Sequence, residues 1–134
     1  MYKEGGIAYV YLCYGIHHLF NVVTNISGVP HAVLIRALEP IGDIQTILKR
    51  RKKDIHSTKL ANGPGSLSKA LGIKSSHSGT DLTGNTIWIE NRNIVLDPND
   101  IIKSPRVGIP YAKKDKMNLW RFRIKNNTHC SPVK

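Results

Sequence analysis

The sequence predicts an α+β domain: a single domain with a curved, mostly antiparallel β-sheet, forming a partial barrel, and a few short helices. β-Branched and aromatic runs outnumber helical patterns, and they follow one another through short turns. No internal repeat or linker divides the chain. With 134 residues, of which 40% are hydrophobic, the chain is long enough to bury a core without disulfides. Residues 1–134 are therefore predicted to belong to one domain.

Three strands are predicted in the first forty residues. Residues 8–14 are rich in Tyr and Val and stop at Gly15, and residues 17–24 resume the pattern. A turn then leads to a third strand over residues 32–39, which Pro40 ends. Side chains alternate between the two faces of a strand. In the first strand one face carries Tyr9, Tyr11 and Cys13, and the other carries Val10, Leu12 and Tyr14.

Two short helices and further strands are predicted after Pro40. Asp43 has the position of an N-cap, and its helix reaches a basic run at 49–53, where cations suit the helix C-terminus. Residues 62–72 predict a turn, a short helix and a Gly stop. A hairpin with strands 86–90 and 94–96 is predicted next, and a last strand within 119–124.

The charge is strongly basic, since 20 Lys and Arg against nine Asp and Glu give a net charge of +11. This excess favours a polyanionic partner, nucleic acid before an acidic membrane, although a basic solvated surface has the same composition. Cys13 and Cys130 lie far apart, and the histidines lack metal-ligand spacing, so no zinc site is predicted. Without a secretory signal or an apolar run of roughly 18 residues, the chain is predicted to be soluble and intracellular.

Arg36 is the most unusual residue of the predicted third strand. By alternation it shares a face with Ala32, Leu34 and Leu38, so its guanidinium is predicted to point into an apolar interior. A buried charge needs a carboxylate, several carbonyls or an anionic ligand. A structural ion pair is the alternative to a ligand site, but Glu39 lies on the opposite face of the strand.

Two tyrosines and an asparagine are further candidates. Tyr11 can stack on a planar ligand inside the fold, while Tyr14 can project outward and act as a wedge in a distorted duplex. Taken singly, both are also explained as packing residues. Asn21 interrupts an apolar stretch and either selects a ligand or caps a turn. The helix start at 63–66 suits a phosphate, although many helices begin this way without a ligand.

Five sequence blocks resemble, in order and rough spacing, the alkyladenine (3-methyladenine) DNA glycosylase family. They are YVYLCYG…N at 9–21, LIRALEP at 34–40, NGPGSLSKALGI at 62–73, SPRVGI at 104–109 and WRFRI at 120–124. The resemblance implies an enzyme that flips alkylated or deaminated purines out of double-stranded DNA and hydrolyses the N-glycosidic bond in base-excision repair. It implies no metal or cofactor, no membrane partner, a monomer when complete, and a location in the cytoplasm or nucleoid.

The resemblance also implies contacts with DNA. Tyr14 corresponds to the family's intercalating tyrosine, which fills the gap left by the flipped nucleotide. Ile16 and His17 would flank it along the minor groove. Gly65 lies where the family's Gly-Pro turn approaches a phosphate.

For the pocket itself, the resemblance implies three roles. Tyr11 corresponds to the tyrosine that stacks on the extruded base. Asn21 corresponds to the residue that disfavours normal guanine through its exocyclic amino group. Arg36 corresponds to the arginine that helps to hold the attacking water.

One departure from the family bears on catalysis. The family's Glu-x-Glu-Ala-Tyr motif, whose Glu activates the water, precedes these blocks and does not occur in this sequence. Glu4 is the nearest acid, yet it lies in a Glu-Gly-Gly turn. A positioned general base contributes about 10²–10⁴-fold, so the chain is expected to be truncated, marginally stable and nearly inactive alone. Two other classes fit the same features: a non-catalytic module for distorted DNA, and a binder of single-stranded RNA.

Overall fold

The computed structural model describes residues 1–54, 57–108 and 110–131, with the backbone alone described for 110–113. Within these ranges the chain forms two α-helices and five strands. The strands are β1 (Ala8–Cys13), β2 (His17–Val23), β3 (Ala32–Leu34), β4 (Ile101–Ser104) and β5 (Arg121–Ile124). The helices are α1 (Ile44–Arg51) and α2 (Pro64–Leu71), with 3-10 turns at Ser75–His77, Pro98–Asp100 and Pro110–Met117.

The strands pair in two antiparallel sheets. The first has the order β1-β2-β3, and β4 pairs with β5 in the second. The predicted α+β class is confirmed. The strands do not form one continuous curved sheet, however, and within the described residues no closed barrel is present.

The hydrophobic core lies between one face of the first sheet and the two helices. Directly paired residues share a face, so the pairs Ala8–Val22 and Val10–Phe20 point to the same side. On that side they meet α1 and α2, whose buried residues include Ile47, Leu48, Leu67 and Ala70. The other side of the sheet carries the side chains that matter for the site.

Both helices begin and end as the sequence predicts. The Oδ1 atom of Asp43 accepts a hydrogen bond of 3.1 Å from the backbone N–H of Thr46, which caps α1. At the end of α2, Gly72 adopts a φ of 72° and donates its N–H to the carbonyl of Lys69. These signals are local, so the sequence is sufficient to place them.

The third strand is shorter than predicted. Pairing covers residues 32–34, and the N–H of Ile35 still donates to the carbonyl of Phe20 at 3.0 Å. Beyond that point the chain turns away from β2, and Leu38 donates to the carbonyl of Ala61 at 3.1 Å. The departure precedes Pro40, so Pro40 does not end the strand.

The predicted hairpin over residues 86–96 is wrong. Asn91 accepts a hydrogen bond of 2.8 Å from the N–H of Asn93, whose φ is 56°, so the tight turn itself forms. The flanking segments do not pair as strands. Ile87 of the first segment packs against the core, whereas Ile94 and Val95 of the second are 78% and 91% exposed, so burial does not hold the second segment beside the first. The last predicted strand is confirmed as β5 within 119–124.

Candidate nucleic-acid interface

A strained aromatic turn joins β1 to β2. The N–H of Ile16 donates to the carbonyl of Cys13 at 3.1 Å, while Tyr14 and Gly15 have φ values of 51° and 71°. Positive φ at both central residues is typical of a type I′ turn, which favours Asn or Gly at its first central position. A bulky residue in this left-handed conformation costs roughly 1–2 kcal/mol. Tyr14 is nevertheless 84% exposed and Ile16 is 70% exposed, so burial does not offset the strain.

The face of the first sheet opposite the core, here called the open face, carries Tyr9, Tyr11, Asn21 and Leu34. Tyr9 pairs with Asn21, and Asn21 pairs with Leu34, so these side chains point to one side. The sequence predicts that Tyr11 stacks inside the fold, but the core packs against the other face and Tyr11 is 39% exposed. Its ring lies 5.5 Å from the ring of Tyr9, with their planes inclined by 32°.

Asn21 is buried in the middle of β2, where its amide is held by the backbone. Its Nδ2 donates to the carbonyls of Tyr9 at 3.1 Å and Leu19 at 3.2 Å. The alternative of a turn-capping Asn is therefore wrong. The structure places no donor on Oδ1 among the described residues, so this fixed amide retains a free acceptor.

Arg36 is the first residue beyond the contact with β2. The N–H of Ile35 donates to the carbonyl of Phe20 at 3.0 Å, and Ile35 packs against the core. Because neighbouring residues of an extended segment point to opposite sides, Arg36 is expected to face away from the core. Tyr11 faces away from the core on β1.

The surroundings of Arg36 differ from the apolar interior that the sequence predicts. The side chain is half-buried, and burial is the first cause that lowers its pKa below the usual value. Arg121 and then Arg106 lower the pKa further, because like charges oppose one another. Arginine still remains ionised at any physiological pH. Alternation shows which residues share a face, but it does not show which face meets the core.

A groove of about 680 Å³ lies beside the aromatic turn. We call it the cationic groove because Arg50, Arg51, Lys69 and Lys74 line it, together with Ile16, His17 and Gly65. A Cβ atom on Gly65 would lie 2.8 Å from Nδ1 of His17, so this position requires glycine if His17 keeps its place. None of Tyr11, Asn21 and Arg36 lines the groove.

The predicted site residues thus form two groups. Tyr14, Ile16, His17 and Gly65 surround the end of the first hairpin and the cationic groove. Tyr11 and Asn21 share the open face, and Arg36 follows the end of β3. Sequence reasoning identified Arg50 and Arg51 in the basic run at 49–53, but it missed Lys69, Lys74 and the two arginines beside Arg36. The alternation of Arg with apolar residues in WRFRI was the available signal for Arg121.

The described carboxylates lie elsewhere. Among the described residues, ion pairs join Arg92 to Glu90 and His129 to Glu39, the latter at 3.8 Å between Nε2 and Oε1. No described carboxylate forms an ion pair with Arg36. Glu4 instead accepts a hydrogen bond of 3.1 Å from the backbone N–H of Ser27.

The described part of the chain holds neither a metal-binding cluster nor a membrane-spanning helix. No three residues of the types His, Cys, Asp and Glu lie together there in a way that could hold a metal ion. None of its helices has the length and apolar character that crossing a bilayer requires.

Comparison with known proteins identifies the family. Residues 1–128 match the methylpurine-DNA glycosylase family. A protein of Natranaerobius thermophilus named "Putative 3-methyladenine DNA glycosylase" is 42% identical over 98% of this chain and 67% of its own length. Proteins of the same name from Borrelia garinii and Chlamydia felis are 45% and 42% identical, over 98% and 92% of this chain.

The chain spans about two thirds of the length of the curated relatives it matches, with 66% and 63% of the Borrelia and Chlamydia proteins covered. The matched region includes every residue of the open face, the aromatic turn and the cationic groove. The chain therefore belongs to the methylpurine-DNA glycosylase family.

Proposed function

We propose that this chain recognises damaged purines in double-stranded DNA as the larger, carboxy-terminal part of a 3-methyladenine-type glycosylase domain of base-excision repair. In this proposal it binds lesion DNA as a monomer in the cytoplasm or nucleoid, and hydrolyses the N-glycosidic bond slowly when alone. The conformation of Tyr14 is the observation that carries the proposal. Family membership supports the same chemistry.

Tyr14 has the properties of a wedge. A large apolar ring on a rigid turn can enter a base stack and hold the space that an extruded nucleotide leaves. The turn fixes the ring at 84% exposure with φ at 51°, a conformation that Asn or Gly would adopt at lower cost. Strain without compensating burial is typical of a functional position, and here the function is insertion into a duplex.

The open side of the sheet is the proposed pocket for the base. Tyr11 presents a ring for stacking, and the free Oδ1 of Asn21 accepts a hydrogen bond from a base and excludes an unsuitable one. Arg36, which follows the core-facing Ile35, faces away from the core as Tyr11 does and donates to the attacking water. His17, Ile16 and the N–H groups near Gly65 contact the flanking backbone.

Slow hydrolysis is proposed because no described carboxylate is positioned beside Arg36 to activate a water. An oxocarbenium-like transition state needs a positioned base for its water, and such a base contributes about 10²–10⁴-fold. Among the described residues no carboxylate pairs with Arg36, and Glu4 is engaged with Ser27. Arg36 can orient a water but, being cationic, cannot accept its proton.

An excision assay tests the proposal. A duplex with one hypoxanthine is incubated with excess chain, either alone or fused at its amino terminus to a family segment containing Glu-x-Glu-Ala-Tyr. We expect single-turnover base release to rise by about 10²-fold or more on fusion. Replacing the catalytic Glu of the fused segment by Gln should abolish the gain, and Arg36→Gln should lower it far more than Arg92→Gln.

Two results would contradict the proposal. If the unfused chain released hypoxanthine as fast as the fusion, the assignment of slow hydrolysis would be wrong. If neither form released a damaged purine, the glycosylase assignment would be wrong. Competition among lesion duplex, plain duplex and single-stranded RNA then tests the binding role, because tighter binding of RNA would favour an RNA-binding module.

A further inference from the structure

The second sheet, β4 and β5, buries a charged side chain and exposes apolar ones. Register pairs Ser104 with Arg121, and Ile102 with Arg123, so these four side chains share a face. On this face Arg121 is only 5% exposed, whereas Phe122 and Ile124 on the opposite face are 59% and 40% exposed. A two-stranded sheet normally buries apolar side chains and exposes charged ones. This sheet buries a guanidinium and exposes its aromatic ring.

The buried guanidinium is only partly satisfied. Nη2 of Arg121 donates to the carbonyl of Ser131 at 2.8 Å, but Nη1 is buried without a partner. The Oγ of Ser104, the Nε of Arg106 and the Nε of Arg123 are likewise buried and unpaired. Each such group has lost its hydration without a replacement, which is unfavourable, and more so when the group is charged. The unpaired atoms of Ser104, Arg106 and Arg121 lie at or next to the end of the sheet where Ser104 pairs with Arg121, and they indicate a missing common partner.

Arg106 is held close to the same end. It lies two residues beyond Ser104, and its guanidinium sits 5.1 Å from the ring centroid of Trp120, the residue that precedes Arg121. Arg36 lies close enough for both arginines to lower its pKa, after the larger effect of burial. Within the described residues no carboxylate pairs with any member of this arginine cluster, defined as Arg36, Arg106 and Arg121.

We propose that the arginine cluster, together with Ser104, binds one phosphate-class oxyanion. Three guanidiniums and a hydroxyl can surround a tetrahedral group whose several oxygens each accept more than one hydrogen bond. A planar carboxylate has only two oxygens and leaves part of such a donor set unpaired. The bound oxyanion supplies the partner for Nη1 of Arg121 and relieves the repulsion among three like charges.

The phosphate group that the cluster binds can come from two sources, which present the same kind of oxygen atoms. One is free inorganic phosphate, and the other is the phosphodiester of a nucleotide that enters the open side of the sheet beside Arg36. Assigning the phosphate to DNA rests on the proposed function, whereas assigning it to free inorganic phosphate does not. Arg106 and Arg121 then become binding residues that act on the phosphate rather than on the base.

Thermal unfolding of the 134-residue chain in inorganic phosphate, against chloride at equal ionic strength, tests the site directly. We expect millimolar phosphate to raise the melting temperature by about 3–8 °C. Isothermal titration should show at least tenfold weaker phosphate binding for Arg106→Gln and Arg121→Gln. The matched control Arg92→Gln removes an exposed arginine that is paired with Glu90, and it should bind phosphate as the native chain does.

If Arg121→Gln does not fold, the phosphate affinity of Arg106→Gln tests the proposal instead. The guanidinium of Arg106 lies over the ring of Trp120 at the edge of the sheet, so its removal is less damaging to the fold. Equal phosphate affinity in Arg106→Gln and Arg92→Gln would overturn the proposal. Stabilisation by poly-glutamate but not by phosphate would also overturn it, in favour of an acidic peptide.

The source is decided by adding hypoxanthine duplex to the phosphate titration. Displacement of phosphate that depends on Arg106 identifies the DNA phosphodiester, and simultaneous binding identifies free phosphate. Phosphate affinity in the absence of DNA does not depend on base excision. Failure of the glycosylase assignment would therefore leave this measurement unchanged.

Discussion

Residues 8–82 and residues 83–131 are held together in different ways. Every residue of the hydrophobic core cluster lies in the first region, from Ala8 to Leu82. In the second region Arg121 is the single buried residue among those described, while Trp88, Val95 and Phe122 are more than half exposed. The first region is stabilised by apolar packing, whereas the second presents apolar surface and buries a charge. Most of the apolar packing that stabilises the fold therefore lies in residues 8–82.

This difference explains where the site lies. The aromatic turn, the open face and the cationic groove all belong to the packed region, which can hold a strained Tyr14 in place. The arginine cluster joins the two regions, because Arg36 comes from the first and its two neighbours from the second. We expect ligands of the cluster to stabilise the contact between the regions more than either region alone.

The largest expected effect is in the packed region. Leu67 is fully buried between α2 and the sheet, so Leu67→Ala should lower the free energy of unfolding by about 2–5 kcal/mol. Leu96, 43% exposed in the second region, is the matched control, and Leu96→Ala should change it by less than about 0.5 kcal/mol. Urea denaturation measures both. If the two substitutions lowered the free energy of unfolding equally, the two regions would not differ in how they are stabilised.

The turn should show opposite changes in stability and binding. Tyr14→Asn places a residue that tolerates positive φ at the strained position, so the free energy of unfolding should rise by roughly 1 kcal/mol. Affinity for a hypoxanthine duplex should fall by about tenfold or more, because the wedge is gone. Tyr2→Asn, at another exposed tyrosine (66%), should change neither quantity appreciably. A loss of both stability and affinity in Tyr14→Asn would refute the assignment of strain.

The close approach of Gly65 to His17 in the cationic groove should have a smaller effect on the free energy of unfolding. Gly65→Ala places a methyl group 2.8 Å from Nδ1 of His17, which should cost about 1 kcal/mol as the ring is displaced. In a His17→Ala background most of that cost should disappear, and a double-mutant cycle measures the coupling. Additive effects of the two substitutions would show that the contact with His17 is not what requires glycine.

The smallest effect concerns the cap of α1. Hydrogen bonds from the Thr46 side chain and then its backbone N–H lower the pKa of Asp43. A lowered pKa in the folded state means that the cap stabilises above the unfolded value of about 3.9 and is lost as pH falls through the folded value. Asp43→Asn should therefore flatten the acid side of the melting-temperature profile. An unaltered profile in Asp43→Asn would contradict this cause.

What the sequence predicts correctly is local. The Asp43 cap, the Gly72 stop and the break at Gly15 between the first two strands each depend on a few neighbouring residues, and each is confirmed. The hairpin over 86–96 is wrong because a correct turn does not supply a surface for its strands to pack on. The environment of Arg36 differs from the predicted apolar interior, because it depends on Arg106 and Arg121, which are distant in sequence. Those neighbours follow only from the tertiary structure.

The most direct test of the central claim places 2-aminopurine next to a hypoxanthine in a duplex and follows its fluorescence as the chain is added. Insertion of Tyr14 should unstack the probe, so fluorescence should increase several-fold with the native chain and with Tyr2→Asn, but not with Tyr14→Asn. An equal increase with Tyr14→Asn, at concentrations that saturate the duplex, would contradict the account.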